Sequence, residues 1–277
     1  MPQDRSEDKG EMKKYANFNF ICGAVICSLM VLMALVSCFY TPYPSTAMDA
    51  SLKFARPGLM HIMGCDNYGR DIFSRVMEGI RNTSLIALLT VFIGTLAGVI
   101  VGAVCGYFGG LPDEILMRIN DLLFSFPSIL LALVIISLTG TGTLNVTLAL
   151  GLAFIPSFAR IVRSEVRKQA ALDYVQSARI LGAGHFRVIF AHILPNIVPV
   201  LLSSVMIGFN NAVLAEAGLS YLGIGVQPPE ASLGRMLSEA QSYLFTAPWY
   251  AVFPGLVIML MVLGFALLAE GMSEGNG

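Results

Sequence analysis

Three groups of residues in this 277-residue chain have types and spacings that could do chemistry. The first is His61-Ile-Met-Gly-Cys65-Asp66-Asn-Tyr-Gly69-Arg70-Asp71, where an imidazole and two carboxylates stand close together. Such groups hold a metal ion when three or four ligands come at a regular spacing. Here the spacing is irregular, and one histidine carries little weight. A structured turn explains the same residues: Gly69 bends the chain and Asp71 caps an amphipathic helix leading into the next apolar run. The second group is Asp113, Glu114, Arg118 and Asp121. Arg118 lies four residues after Glu114 and three before Asp121, so an ion pair along a helix can form. Charges near a helix end also serve as interfacial anchors. The third is the amide pair Asn210 and Asn211 inside an apolar run. Such amides bond neighbouring helices or line a wet path, and bonding is the commoner use.

Covalent catalysis finds no support. No Gly-Lys pair exists, so the Walker A motif is absent and the chain is not its own ATPase. An intramembrane protease or acyltransferase needs a nucleophile with a base at membrane depth. Only His192 lies near an apolar run, and neither Gly-x-Ser-x-Gly nor His-Glu-x-x-His occurs. The five cysteines contain no Cys-x-x-Cys pair. Four lie in or beside apolar runs as small packing residues, and Cys65 alone falls in a polar stretch. No metal and no cofactor are expected.

A different function is written at Asp173-Tyr-Val-Gln-Ser-Ala-Arg-Ile-Leu-Gly182-Ala-Gly184, a polar interruption between two apolar segments. Asp173 can cap a short helix, with Gln176 reaching back in capping-box fashion. Tyr174, Ala178 and Leu181 recur at i, i+4, i+7 as one apolar face, Arg179 lies beside them, and Gly182 and Gly184 end the helix. A short amphipathic helix between two membrane spans is placed to dock on a soluble partner.

The elements that must position these residues follow from hydropathy. The chain is 56% hydrophobic and 13% charged, with mean hydropathy +0.73. Soluble domains carry about 25% charged residues, so this is an all-α, polytopic membrane protein. Six transmembrane helices are predicted over 18–40, 83–105, 115–138, 143–162 (kinked at Pro156), 193–214 (bent at Pro195 and Pro199) and 249–268. Leu35-Val-Ser-Cys38 fits a loose lipoprotein cleavage pattern, but the preceding run is long and the tail carries no net positive charge, favouring a retained span. Gly94, Gly98, Gly102 and Gly106 recur every fourth residue and leave a bare stripe for helix packing. Residues 216–247 read as a Gly/Pro-rich outer loop. Two units are drawn: 1–81, comprising the tail, first span and outer segment, and 82–277, the core with a loop at about 163–191. With both termini inside, the inner segments hold eleven of the seventeen Lys and Arg, which puts that loop in the cytoplasm. A net charge of −1 gives no footprint for nucleic acid.

The loop resembles that of ABC-importer permeases: Gln176-Ser177-Ala178, Gly182, nine residues, then His192-Ile193-Leu194-Pro195. Gln, Ser and His stand where that family has Glu, Ala and Ile. His61 to Asp71 resembles the start of one permease subunit of dipeptide, oligopeptide and nickel importers, with Cys65 in place of Thr. Glu216-Ala-Gly-Leu-Ser-Tyr-Leu-Gly-Ile-Gly-Val-Gln-Pro-Pro229 and Thr246-Ala-Pro-Trp249 also resemble it, while Glu270-Gly271 stands where relatives have Asp-Gly and a longer tail. The resemblance implies a type I ABC importer permease fold in the cell membrane, half of a translocation pathway for peptides, with nickel or a metal chelate as the alternative. It implies a homologous second permease in a heterodimer, two cytoplasmic ATP-binding subunits that hydrolyse ATP, an extracytoplasmic solute-binding protein and surrounding lipid. It also implies that residues 173–184 couple to the ATPases, with Arg118 and Asp121 in support.

Overall fold

The computed structural model describes the backbone of residues 4–274 and the side chains of residues 18–272. Among these the structure is helical, and strand-like pairing is confined to one bridge between Cys65 and Asp71. The helices are α1 (Asp4–Val36), α2 (Ile72–Phe108), α3 (Gly110–Phe124), α4 (Ser128–Thr139), α5 (Thr143–Ala170), α6 (Asp173–Ile180), α7 (His185–Arg187), α8 (Leu194–Tyr221), α9 (Leu233–Ala240) and α10 (Trp249–Glu274). Among the described residues five stretches are long and apolar enough to cross a bilayer: Phe18–Val36, Ile72–Phe108, Thr143–Ala170, His185–Tyr221 and Trp249–Met272.

The expected span over 115–138 is not one helix. It divides into α3 and α4, which meet at 89°. Pro127 has no N–H for the helical ladder and its ring clashes with the preceding turn, so the rod cannot continue through it. Just before the break, Ser125 Oγ donates to the Asp121 carbonyl at 2.8 Å, a local bond that competes with the helix. Other boundaries lengthen. Residues 72–81 join the second span as one 37-residue helix, so residue 81 lies within α2. α5 runs past Val162 to Ala170. The segment 216–247 is not all loop, because α8 continues to Tyr221 and α9 follows. Before α8 the helix widens into a π turn over Val188–Ile193, sending the Leu194 N–H back to the Ile189 carbonyl just ahead of Pro195.

The glycine stripe sets the centre of the bundle. A Cβ at Gly94 would stand 3.0 Å from Phe154 Cβ, at Gly98 2.5 Å from Phe158 Cβ, at Gly102 2.6 Å from the Ala159 carbonyl and at Gly106 2.7 Å from the Arg163 carbonyl. All four neighbours belong to α5, so the stripe brings α2 and α5 of this chain backbone to backbone. Leu85, Leu88, Phe92, Leu96 and Ile100 follow the opposite, exposed side of α2 at helical spacing, where lipid tails replace water. A second close approach joins α1 to α10. Gly23 faces the Leu268 N–H, and Gly264 faces Ile26 and Cys27.

The end of the bundle at the start of α2 is fastened by charge. Asp71 caps α2, its Oδ2 accepting from the Ser74 N–H and hydroxyl at 2.8 Å each, while Oδ1 holds His61 Nδ1 at 2.8 Å. Gly69 bends with φ +74°. Buried Asp66 binds Arg70 Nε at 2.5 Å, and Arg70 and Arg75 both reach Glu239 of α9, at 2.9 and 3.2 Å. Among the described residues no three His, Cys, Asp or Glu gather as a metal site.

Candidate functional site

Residues 171–197 fold into a compact unit on the end of α5. α6 begins one residue earlier than the sequence suggests, with Leu172 as its N-cap and no side-chain cap. Asp173 is therefore the first helical residue, where its charge suits the helix dipole. The expected capping box does not form, because Gln176 lies one position beyond the N3 place. Its Nε2 donates instead to the Ala171 carbonyl at 3.1 Å.

The helix end is a Schellman motif. The Gly182 N–H donates to the Arg179 carbonyl and the Ala183 N–H to the Ala178 carbonyl, each at 3.0 Å. Gly182 takes φ +85°, a left-handed conformation that glycine adopts without penalty. Gly184 has φ −65° and leads into α7.

The face that packs against the rest of the chain is carried by Val175, which lies outside the Tyr174, Ala178 and Leu181 set. Val175 is fully buried, packed with Ala103 and Tyr107 of α2, Val162 and Val166 of α5, and Val188, Ile193 and Ile197 beyond. Ala178 is half-buried and Tyr174 is held by its polar end. The Tyr174 hydroxyl donates to Gln169 Oε1 at 2.7 Å and accepts from Asn196 Nδ2 at 3.3 Å. Arg179 lies over the Tyr107 ring at 4.5 Å, and Tyr107 Oη meets His185 Nδ1 at 3.0 Å. These contacts leave Leu181 87% exposed, Ile180 85% and Phe186 80%, with Phe190 64% exposed beside Phe186. Four large apolar side chains thus point away from the chain's own packing.

The charges of α3 lie one helix away. Arg118 pairs with Glu114 at 2.6 Å, both exposed. Asp121 takes Arg160 of α5 at 2.6 Å, and Asp113 takes Arg163 through two bonds of 2.5 and 2.6 Å. Asp121 therefore reaches the 171–197 unit only through α5, whose C-terminal half α3 clamps. Neither Asp113–Arg163 nor Tyr107–His185 was foreseen, because each joins residues at least 50 positions apart.

The amide pair separates. In the orientation that satisfies both neighbours, the Asn210 amide donates to the Val262 carbonyl (3.3 Å) and accepts from the Ala266 N–H (3.2 Å) of α10. Asn211 lines a cavity between α4, α5 and α8, and with Asn210 it also borders a second one between α8 and α10. At the opposite end of the bundle, burial opposes ionisation of Glu239. Arg75, the Tyr250 hydroxyl, Arg70 and Arg235 outweigh it and hold the carboxyl below its usual pKa.

Residues 94–273 match the family described as binding-protein-dependent transport system inner membrane component. The chain is 38% identical over 256 residues to the glutathione transport system permease protein GsiD of Pectobacterium atrosepticum, covering 91% of this chain and 85% of that one. It is 34% identical over 254 residues to the dipeptide transport system permease protein DppC of Alkalihalophilus pseudofirmus, covering 92% and 84%. In fold it matches a chain of the inward-facing MetNI methionine ABC transporter, with TM-score 0.58 and 20% identity over 70% of this chain and 93% of that one.

Proposed function

The chain belongs to the family of binding-protein-dependent transport system inner membrane components, as a multi-pass permease of an ABC importer, and from that premise we propose that it carries peptides. One observation carries the mechanism. Residues 173–190 are tied inward by Val175, Tyr174 and Arg179 while Ile180, Leu181, Phe186 and Phe190 are turned out. Burying such side chains is favourable, each contributing about 1.5–3 kcal/mol. The occupant is a cytoplasmic ATPase subunit, which receives α6 in an apolar cleft.

Force applied to α6 passes into α2 and α5 through the shared valine cluster, and into α3 through Asp113–Arg163 and Asp121–Arg160. The glycine-packed α2–α5 pair then moves as one body. ATP binding by two such subunits would rock this chain and a homologous second permease between outward- and inward-facing states. The solute arrives on an extracytoplasmic binding protein, and this chain itself hydrolyses nothing. The peptide reading rests on the glutathione and dipeptide names of the relatives, which favour it over nickel.

Tagged chain expressed with its native partners provides the test. Two ATPase subunits and a second permease should copurify, and proteoliposomes of that complex should take up a dipeptide only with ATP and the binding protein. Copurification without dipeptide uptake would refute the peptide assignment, and a chain isolated alone would refute the importer assembly.

A further inference from the structure

Between α4, α5 and α8 lies a cavity of about 360 Å³, lined in part by Asn211. Its walls come from two helical faces of regular spacing. Phe154, Ser157 and Phe158 of α5 stand opposite Ser204 and Asn211 of α8, and Ser128 of α4 closes one side. By helix rise, Ser157 lies about 21 Å along α5 from Thr143. In a hydrocarbon core about 30 Å thick that is well inside the membrane.

At such depth a polar side chain without a partner is costly. Ser204 satisfies itself, its hydroxyl donating to the Val200 carbonyl at 2.8 Å. Asn210, next in sequence to Asn211, is satisfied by α10. The Ser128, Ser157 and Asn211 side chains make no hydrogen bond among the described residues, and all three line this cavity, Asn211 bordering also a second one beside α10. Lipid cannot supply their partners; a polar solute in water can. No charged side chain lines the cavity, and the Phe154 and Phe158 rings form its apolar wall.

We propose that Ser128, Ser157 and Asn211 form a contact site for the uncharged, hydrogen-bonding part of the passing solute, the amide backbone of a short peptide. Hydroxyl and carboxamide groups both donate and accept, as a peptide unit does, so they serve the backbone whatever the side chains are. The two phenyl rings take the apolar side chains. The volume lies in the range that holds a small ligand. This rests on the peptide reading above, which the test keeps separate.

The experiment is competitive uptake by the reconstituted complete transporter, using Ala-Ala, Ala-Lys and Ala-Glu. Asn211→Asp and Ser157→Asp each place a carboxylate in the cavity. Each should raise the ratio of Ala-Lys to Ala-Glu uptake at least about tenfold, since charges at this depth are weakly screened. An unchanged ratio in a variant that still imports Ala-Ala overturns the contact site and leaves peptide import standing. Failure of the unaltered complex to import any of the three overturns the peptide reading instead. Should the carboxylate variants fail to assemble, Ser157→Cys supplies the second arm. Its alkylation by a small cationic thiol reagent, above that of the unaltered complex, should slow several-fold in excess Ala-Ala, and an unchanged rate overturns the site.

Discussion

Replacing Gly102 by alanine should unpack the centre of the bundle. The new Cβ would stand 2.6 Å from the Ala159 carbonyl oxygen, 2.8 Å from the Arg163 nitrogen and 2.8 Å from Val162 Cβ. Two of these atoms are backbone and the third is fixed to it, so no rotamer change relieves the contact. Restoring ordinary separations of about 3.5 Å requires α5 to withdraw by roughly 1 Å. A gap of that size forfeits about a quarter to a half of each neighbouring dispersion contact. The stripe extends the damage from Gly94 to Gly106, and overpacking of this kind costs about 1–3 kcal/mol. Thermal unfolding of the detergent-purified chain, followed by size-exclusion of the surviving monomer, should show a midpoint lower by roughly 5 °C. Gly218→Ala is the control, since its Cβ would meet nothing within 4 Å. Equal midpoints for Gly102→Ala, Gly218→Ala and the unaltered chain would refute the backbone-to-backbone packing of α2 on α5.

In the charge cluster at the start of α2, Glu239→Gln leaves buried Arg70 and Arg75 short of a counter-charge and should cost about 3 kcal/mol. Glu239 is held below its ordinary pKa, so its stabilisation is present above the usual carboxylate range and is lost as pH falls through the lowered value. Acid unfolding curves should therefore converge for variant and parent at low pH and separate at neutral pH; parallel curves would remove Glu239 from the account. Single cysteines in 45–75 and 225–240 should react with an impermeant reagent from outside, and those in 165–187 only from inside, the reverse pattern inverting the topology. Gln176→Glu loses one exposed hydrogen bond to Ala171 and should keep wild-type uptake, whereas a severe loss would give Gln176 a contact of its own.

Hydropathy was enough to locate the long helices, since apolar length is a local property. The four-residue glycine period likewise announced a close contact, and the structure supplies α5 as its partner. What escaped depended on geometry between distant residues. Pro127 stood in plain sight inside an apolar run, but a proline alone does not separate one carried within a helix, as Pro156 is in α5, from the 89° break. The inward packing of α6 was not legible, because periodicity shows which residues share a side, not which side the rest of the chain occupies. Tyr174 looked apolar, yet its hydroxyl makes it a tether, while Val175 carries the packing. Asn210 and Asn211 looked equivalent, and one step of 100° around the helix lets only Asn210 bond α10 while Asn211 also reaches the cavity beside α5.

The central claim is that the exposed apolar tip of residues 173–190 transmits ATPase motion. Solute-stimulated ATP hydrolysis by the reconstituted complex, measured alongside uptake, tests it most directly. Leu181→Asp puts a charge on the tip, and Gly182→Asp adds a side chain where φ is +85°, at a strain of roughly 1–2 kcal/mol. Neither touches the core or the cavity, so both chains should reach the membrane and assemble with the second permease. Stimulated hydrolysis and uptake are expected to fall together, at least about tenfold. Normal stimulated hydrolysis in both variants would contradict the claim and remove residues 173–184 as the coupling element.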